Sequence, residues 1–279
     1  MSVVTEQWLR LLVFGVVLSA LVAWEVLAPR RGRRLPLVRR WPSNLGIVVL
    51  DTLVVRLLFP ITAVGLAMVC EARGWGLLQK VPLPGWQSIP LAFIALDLAI
   101  YLQHVLFHAV PVLWRLHRTH HADQDIDVTT GLRFHPIEIV LSMVIKLAVV
   151  AGLGAPAIAV LAFELVLNAT SMFNHSNVAM PLGLDRVMRW LVVTPDMHRV
   201  HHSVVVRETN SNFGFNLPWW DRLFGTYRSQ PEDGHTAMTI GIPQFRSVGE
   251  QRLDRMLTQP FRDDKAAQSI DVDGAGSEK

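Results

Sequence analysis

Two copies of one histidine pattern stand about eighty residues apart: His117-Arg-Thr-His120-His121 and His198-Arg-Val-His201-His202. Imidazole is the commonest neutral nitrogen ligand for transition metals. Helix positions i, i+3 and i+4 share a face, so each block can aim three imidazoles at one point. Of the 11 histidines, six lie in these blocks. Four more flank them: His104 and His108, an i, i+4 pair, with His135 and His175. Only His235 stands apart. A lone buried histidine such as His135 or His175 is more often a hydrogen-bonded core residue than a ligand. The full set outweighs that reading. Ten imidazoles exceed what one ion needs, whereas two ions with four or five ligands each would use them. An all-imidazole pair suits iron, zinc or copper. Structural zinc is tetrahedral and often cysteine-bound, and the one cysteine, Cys70, lies in an apolar run. Redox iron that activates dioxygen gains from neutral ligands at a membrane surface, so a membrane-bound di-iron centre leads.

Ligating imidazoles usually donate their second N–H to a carboxylate or carbonyl. Asp123, Asp127, Glu138, Asn174, Asp196 and Asp221 are candidates for that task. Asp97 sits seven residues before His104, on nearly the same helical face, at a depth where a carboxylate is costly and suggests function. Asp97, Asn174 and Asp196 are the residues expected to serve the reacting centre beside its ligands. Glu164 and Asn168, another i, i+4 pair, attract the same suspicion. Asp51 and Arg56 are left free to pair with neighbours and are assigned no role.

These residues must be positioned by a membrane. Of the 279 residues, 51% are hydrophobic and 18% charged, and the mean hydropathy is +0.33. A soluble domain carries about 25% charge. The chain reads as an all-α integral membrane bundle of about four spans, one of them a hairpin, under a histidine-rich helical cap. The first span runs from about Trp8 to Leu27 and is read as a retained anchor. Arg30, Arg31, Arg33, Arg34, Arg39 and Arg40 follow; this cluster places the loop on the cytoplasmic side and argues against a nucleic-acid surface. Spans from about Leu45 to Val69 and Ile89 to Ala109 come next. Stretches 137–150 and 156–170, parted by Gly152-Leu-Gly-Ala-Pro156, predict a hairpin whose arms are somewhat short for a full crossing. All ten clustered histidines then fall on one side, inferred from the arginines alone. Three regions follow: an anchor over 1–96, a catalytic domain over 97–230 and a polar C-terminal tail over 231–279, its end from about Asp263 disordered. Trp219-Trp220 suits a membrane interface.

At these residues the chain resembles the fatty acid hydroxylase/sterol desaturase superfamily. The resemblance rests on His104-Val-Leu-Phe-His108, the first block, His135-Pro136-Ile137-Glu138, Asn174-His175-Ser176-Asn177, the second block and the ending through Trp220-Asp-Arg-Leu-Phe-Gly-Thr226. It covers roughly Asp97 to Tyr227. It implies two irons that split dioxygen with externally supplied electrons, and a lipid substrate entering from the bilayer. Hydroxylation is slightly favoured over desaturation. With no fused haem domain in view, a ferredoxin- or cytochrome-type donor is expected, and Arg33 and Arg34 offer a docking surface. A bacterial inner membrane is the expected location. A zinc hydrolase would show a pattern such as HExxH, which is absent; a transporter would place its ligands at mid-membrane; a scaffold would hold redox-silent metal.

Overall fold

The computed structural model describes residues 3–81 and 83–263. Among them the chain is helical, with two isolated β-bridges and no strand. Five segments are long and apolar enough to cross a membrane: Val4–Leu27, Leu37–Lys80, Gly85–Ala109, Pro136–Leu153 and Ala157–His175. They correspond to α1 (Val3–Leu27), a broken segment, α5 (Gly85–Ala109), α7 (Pro136–Leu153) and α8 (Ala157–His175).

The broken segment departs from the single expected span. It divides into α2 (Leu37–Leu58), α3 (Ala63–Arg73) and α4 (Leu77–Lys80). Pro60 cannot donate into a continuing helix. Beyond it Thr62 caps α3, its hydroxyl accepting from Gly65 N at 3.0 Å. Gly74 ends α3 with φ 65°, the left-handed conformation that favours glycine.

The hairpin arms are longer than expected, at 18 and 19 residues. That is about 27–28 Å of helix, close to the roughly 30 Å hydrocarbon core. His135 starts α7 by accepting from Ile137 N, and α8 runs on through His175. Ala63, Ala67, Ala92, Ala159 and Phe163 form the main apolar core between α3, α5 and α8. Around it, many large apolar side chains stay exposed, as a lipid-facing surface requires: Leu57 is 84% and Leu27 84% exposed.

The cap consists of α6 (Pro111–His121), the loop 122–135, α9 (Leu182–Met188), α10 (Pro195–His201) and the irregular chain after it. The arginine-rich loop is sewn into this cap. Arg40 is fully buried. It donates to Asp123 at 2.7 and 2.6 Å and to Asp127 at 2.5 Å. Arg30 pairs with Asp196 at 3.0 Å, and Arg31 donates to the Met238 carbonyl at 2.9 Å. Residues 231–263, expected as a polar tail, are packed: Met238, Ile240, Phe245, Met256 and Gln259 are buried. The expected disorder of 264–279 falls outside the described residues.

Candidate metal centre

Nine of the ten histidines singled out in the sequence come together, and the two blocks are interlaced. His104, His108, His117, His121 and His201 form one group, and His120, His175, His198 and His202 the other. Within each group the ligand-capable nitrogens lie within 4.8 Å of one another. α6 sends His117 and His121 to the first group and His120 to the second. α10 and the residue after it send His201 to the first and His198 and His202 to the second. Ring contacts join the groups, with His121 stacked on His202 at 4.6 Å. His108 is half-buried; the other eight are buried.

Backbone and side-chain acceptors fix the rings. His104 Nδ1 lies 2.7 Å from the Phe213 carbonyl, His175 Nδ1 2.7 Å from Ser171 O and His201 Nδ1 2.8 Å from Ser211 O. His120 Nδ1 faces the Arg133 carbonyl at 3.1 Å. His117 Nδ1 faces Glu138 at 2.7 Å, and His108 Nδ1 faces the Asn210 amide oxygen at 3.2 Å. The backbone carbonyls and the Asn210 amide oxygen can only accept, so the Nδ1 atoms that face them must carry the proton. The Nε2 atoms are then bare lone pairs. Yet His120 and His175 meet Nε2 to Nε2 at 3.1 Å, as do His198 and His175. Between His120 and His175 no proton is available, so two lone pairs confront each other. Both nitrogens of His121 and of His202, with His108 Nε2 and His201 Nε2, are buried without a partner. Leaving such groups unmatched is costly. A shared cation removes the repulsion and satisfies the orphans together, and a donor set of neutral imidazoles fits iron.

Burial lowers the pKa of His117, His120, His121, His198, His201 and His202, and neighbouring histidines lower the last five further. These rings are neutral near pH 7, the state a metal ligand needs.

The remaining candidates fall differently. His135 is brought into neither group: its Nδ1 caps α7 and its Nε2 faces the Leu257 carbonyl at 3.2 Å. A proline after it starts a helix, and that position turns the ring away from the cluster. Asp97 accepts from Trp220 Nε1 at 2.8 Å and from Leu217 N. Asn174 donates to the Phe215 carbonyl at 3.0 Å. Asp196 binds Arg30 and Arg199 and lies 3.6 Å from His235. None of these three hydrogen-bonds a clustered imidazole; Asp97 and Asn174 instead secure the segment 213–220. Burial raises the Asp196 carboxyl, but Arg199 and Arg30 outweigh this and hold it low. Asp221 accepts from the amides of Phe213 and Gly214 at 2.8 and 2.9 Å, steadying the peptide whose carbonyl orients His104. Asp123 is likewise pushed up by burial but held below the carboxylate range by Arg40 and Arg133.

A cavity of about 500 Å³ opens between the spans and reaches His104, His117, Glu138, Phe107 and Phe215. Asp51 and Arg56 make no hydrogen bond or ion pair with a described residue; both line this cavity.

The profile of the Fatty acid hydroxylase family matches residues 89–226, which enclose every histidine of both groups. Ornithine lipid hydroxylase OlsE of Rhizobium tropici is 33% identical over 175 residues, 62% of this chain and 50% of that protein. Alkylglycerol monooxygenase of Homo sapiens is 30% identical over 167 residues, 60% of this chain and 36% of that protein. Cholesterol 25-hydroxylase of Rattus norvegicus is 27% identical over 222 residues, 77% of this chain and 70% of that protein. The match thus spans half or less of the first two relatives. No solved structure gives a significant match.

Proposed function

Because the chain belongs to the fatty acid hydroxylase/sterol desaturase superfamily, we propose that it is a membrane-bound di-iron monooxygenase acting on a lipid. The observation that carries this reading is the pair of all-imidazole groups, with unmatched inward nitrogens, at the head of an inter-helical cavity. His104, His108, His117, His121 and His201 would hold one iron, and His120, His175, His198 and His202 the other. Two irons bound there would supply dioxygen activation, using two electrons from a separate ferredoxin- or cytochrome-type protein. The balance is RH + O2 + 2 electrons + 2 protons giving ROH + H2O.

The chain's own contribution is placement and dryness. Five Nδ1 contacts to carbonyl or amide oxygens set tautomer and ring direction, Glu138 orients His117, and Phe134 stacks on His120 at 4.4 Å. Phe107 and Phe215 wall the cavity beside His104 and His117, directing one carbon of a lipid chain toward the centre and excluding water. The names of the relatives favour hydroxylation over desaturation. The arginine-rich loop and the bacterial relative support an inner-membrane protein with its centre at the cytoplasmic face. Arg34 leaves its side chain exposed, so charge reversal at Arg33 and Arg34 should slow turnover under limiting donor; unchanged turnover excludes that docking surface.

The deciding experiment is lipid mass spectrometry of cells expressing the protein or His201→Ala, in a host with a competent donor. A lipid gaining one oxygen only with the intact chain establishes hydroxylation. Loss of two hydrogens instead means desaturation. No lipid change, with redox-silent metal in the purified protein, rejects the oxygenase.

A further inference from the structure

The histidines occupy only one end of the cavity. On α7, Glu138 touches His117, while Lys146 lines the cavity eight residues further on. That separation is about 12 Å of helix. Arg10 from α1 and Arg56, an exposed residue in the last turn of α2, line the same cavity. Glu164 accepts from Arg10 at 2.7 Å and from Lys146 at 2.8 Å, and it is not itself part of the cavity wall. One buried carboxylate thus serves two cations. Glu6 also binds Arg10, at 2.8 Å, nearer the helix end. Arg56 makes no hydrogen bond or ion pair with any described residue. Asp51 stands on the same helix, five residues nearer the histidine end.

Charges within spanning helices are costly and tend to mark function. Glu6 and Glu164 together match Arg10 and Lys146 two for two, so the cation without a carboxylate partner among the described residues is Arg56. Here an unpaired guanidinium and spare N–H donors on Lys146 and Arg10 face a cavity that Val55, Ile100 and Leu167 also line. Guanidinium and ammonium donors of this kind suit a carboxylate or phosphate.

We infer that Arg10, Arg56 and Lys146 form a subsite for an anionic lipid headgroup, carboxylate or phosphate, which fixes the hydrocarbon end toward the histidines. This rests on the oxygenase reading and narrows its substrate to acidic amphiphiles. The lipid would lie with its charged end toward the far side of the bundle from the cap. The oxidised carbon would then stand well away from the headgroup.

The test is lipid titration of the iron-loaded full chain in a neutral detergent, read by native mass spectrometry. The probes are oleic acid, dodecyl phosphate and the neutral methyl oleate. The acid or the phosphate should bind at least about tenfold more tightly than the ester, as charge-assisted hydrogen bonds predict. Preference for the acid assigns a carboxylate, preference for the phosphate a phosphate, and equal tight binding of both a general anion site. Arg56→Gln, which removes no hydrogen bond or ion pair to a described residue, should abolish most of that preference while leaving ester binding unchanged. The double variant Lys146→Gln with Glu164→Gln, which strands no carboxylate, should do the same. Equal binding of acid and ester, or an unchanged preference in both variants, overturns the inference. Binding needs neither dioxygen nor electrons. Acid-selective binding without oxygen gain therefore defeats the oxygenase reading alone; oxygen gain without anion preference defeats this subsite alone.

Discussion

At the scale of single residues, six of the nine clustered rings are oriented by acceptors or a carboxyl behind them. Glu138→Ala removes the acceptor of His117, and loss of such a partner costs metal affinity about 10–100-fold. Metal analysis should show depletion of the five-histidine site with the four-histidine site retained; full loading would exclude the role. Proton linkage gives a second expectation. The six cap histidines have folded pKa values below their ordinary 6.5. On acidification the unfolded chain therefore takes up protons first. Metal-free protein should keep its stability at pH 6.5 and above and lose it progressively below, down to about 3 for His117. Denaturant midpoints across that range check the sign; a flat profile contradicts it. The histidines themselves were legible because residue type and spacing declare them. Their orienting partners were only partly so. Glu138 was among the visible candidates, but the carbonyls of Phe213, Ser171, Ser211 and Arg133 were not, since every residue carries one. His135 shows the converse: a histidine in motif register whose ring the local helix start turns elsewhere.

Among the elements, the loop 122–135 couples the two halves of the centre. Gly131 passes so close to α8 that an added Cβ would lie 2.4 Å from Ser171 O and 3.1 Å from His175 Nδ1. Gly131→Ala should displace the carbonyl that orients His175, lowering occupancy of the four-histidine site while the fold persists; unchanged metal content at both sites would remove this explanation. The same loop is anchored by Arg40. Arg40→Met removes the cation of buried Asp127 and leaves Asp123 only Arg133, 3.9 Å away; breaking a buried pair costs about 3–5 kcal/mol. Chemical denaturation should register that loss, and a change below about 1 kcal/mol would show the site relaxes. In the sequence these arginines read as a topology signal, which depends on composition. Their second use, as buried counter-ions to a loop about ninety residues later, depends on long-range packing that periodicity cannot carry. The broken span over 37–80 was hidden similarly: hydropathy averages over Pro60 and Gly74, whereas backbone geometry does not.

Considered whole, the molecule places its polar chemistry at the mouth of an apolar bundle, and metal and fold should stabilise each other. Ligands that bind only the folded state raise its stability by mass action. Stripping the metal with a chelator should therefore lower Tm, and iron should restore it; an unchanged Tm would mean the cage is rigid without its ions. The interlaced blocks carry a further consequence for biogenesis. Each group takes ligands from both blocks, the first from His104 to His201 and the second from His120 to His202. During synthesis, neither cage can close until the last block has emerged and α10 has docked on α8. Two bound ions would therefore be fully coordinated only once α10 is in place, and a nascent chain stalled before His198 would hold imidazoles from both groups and complete neither.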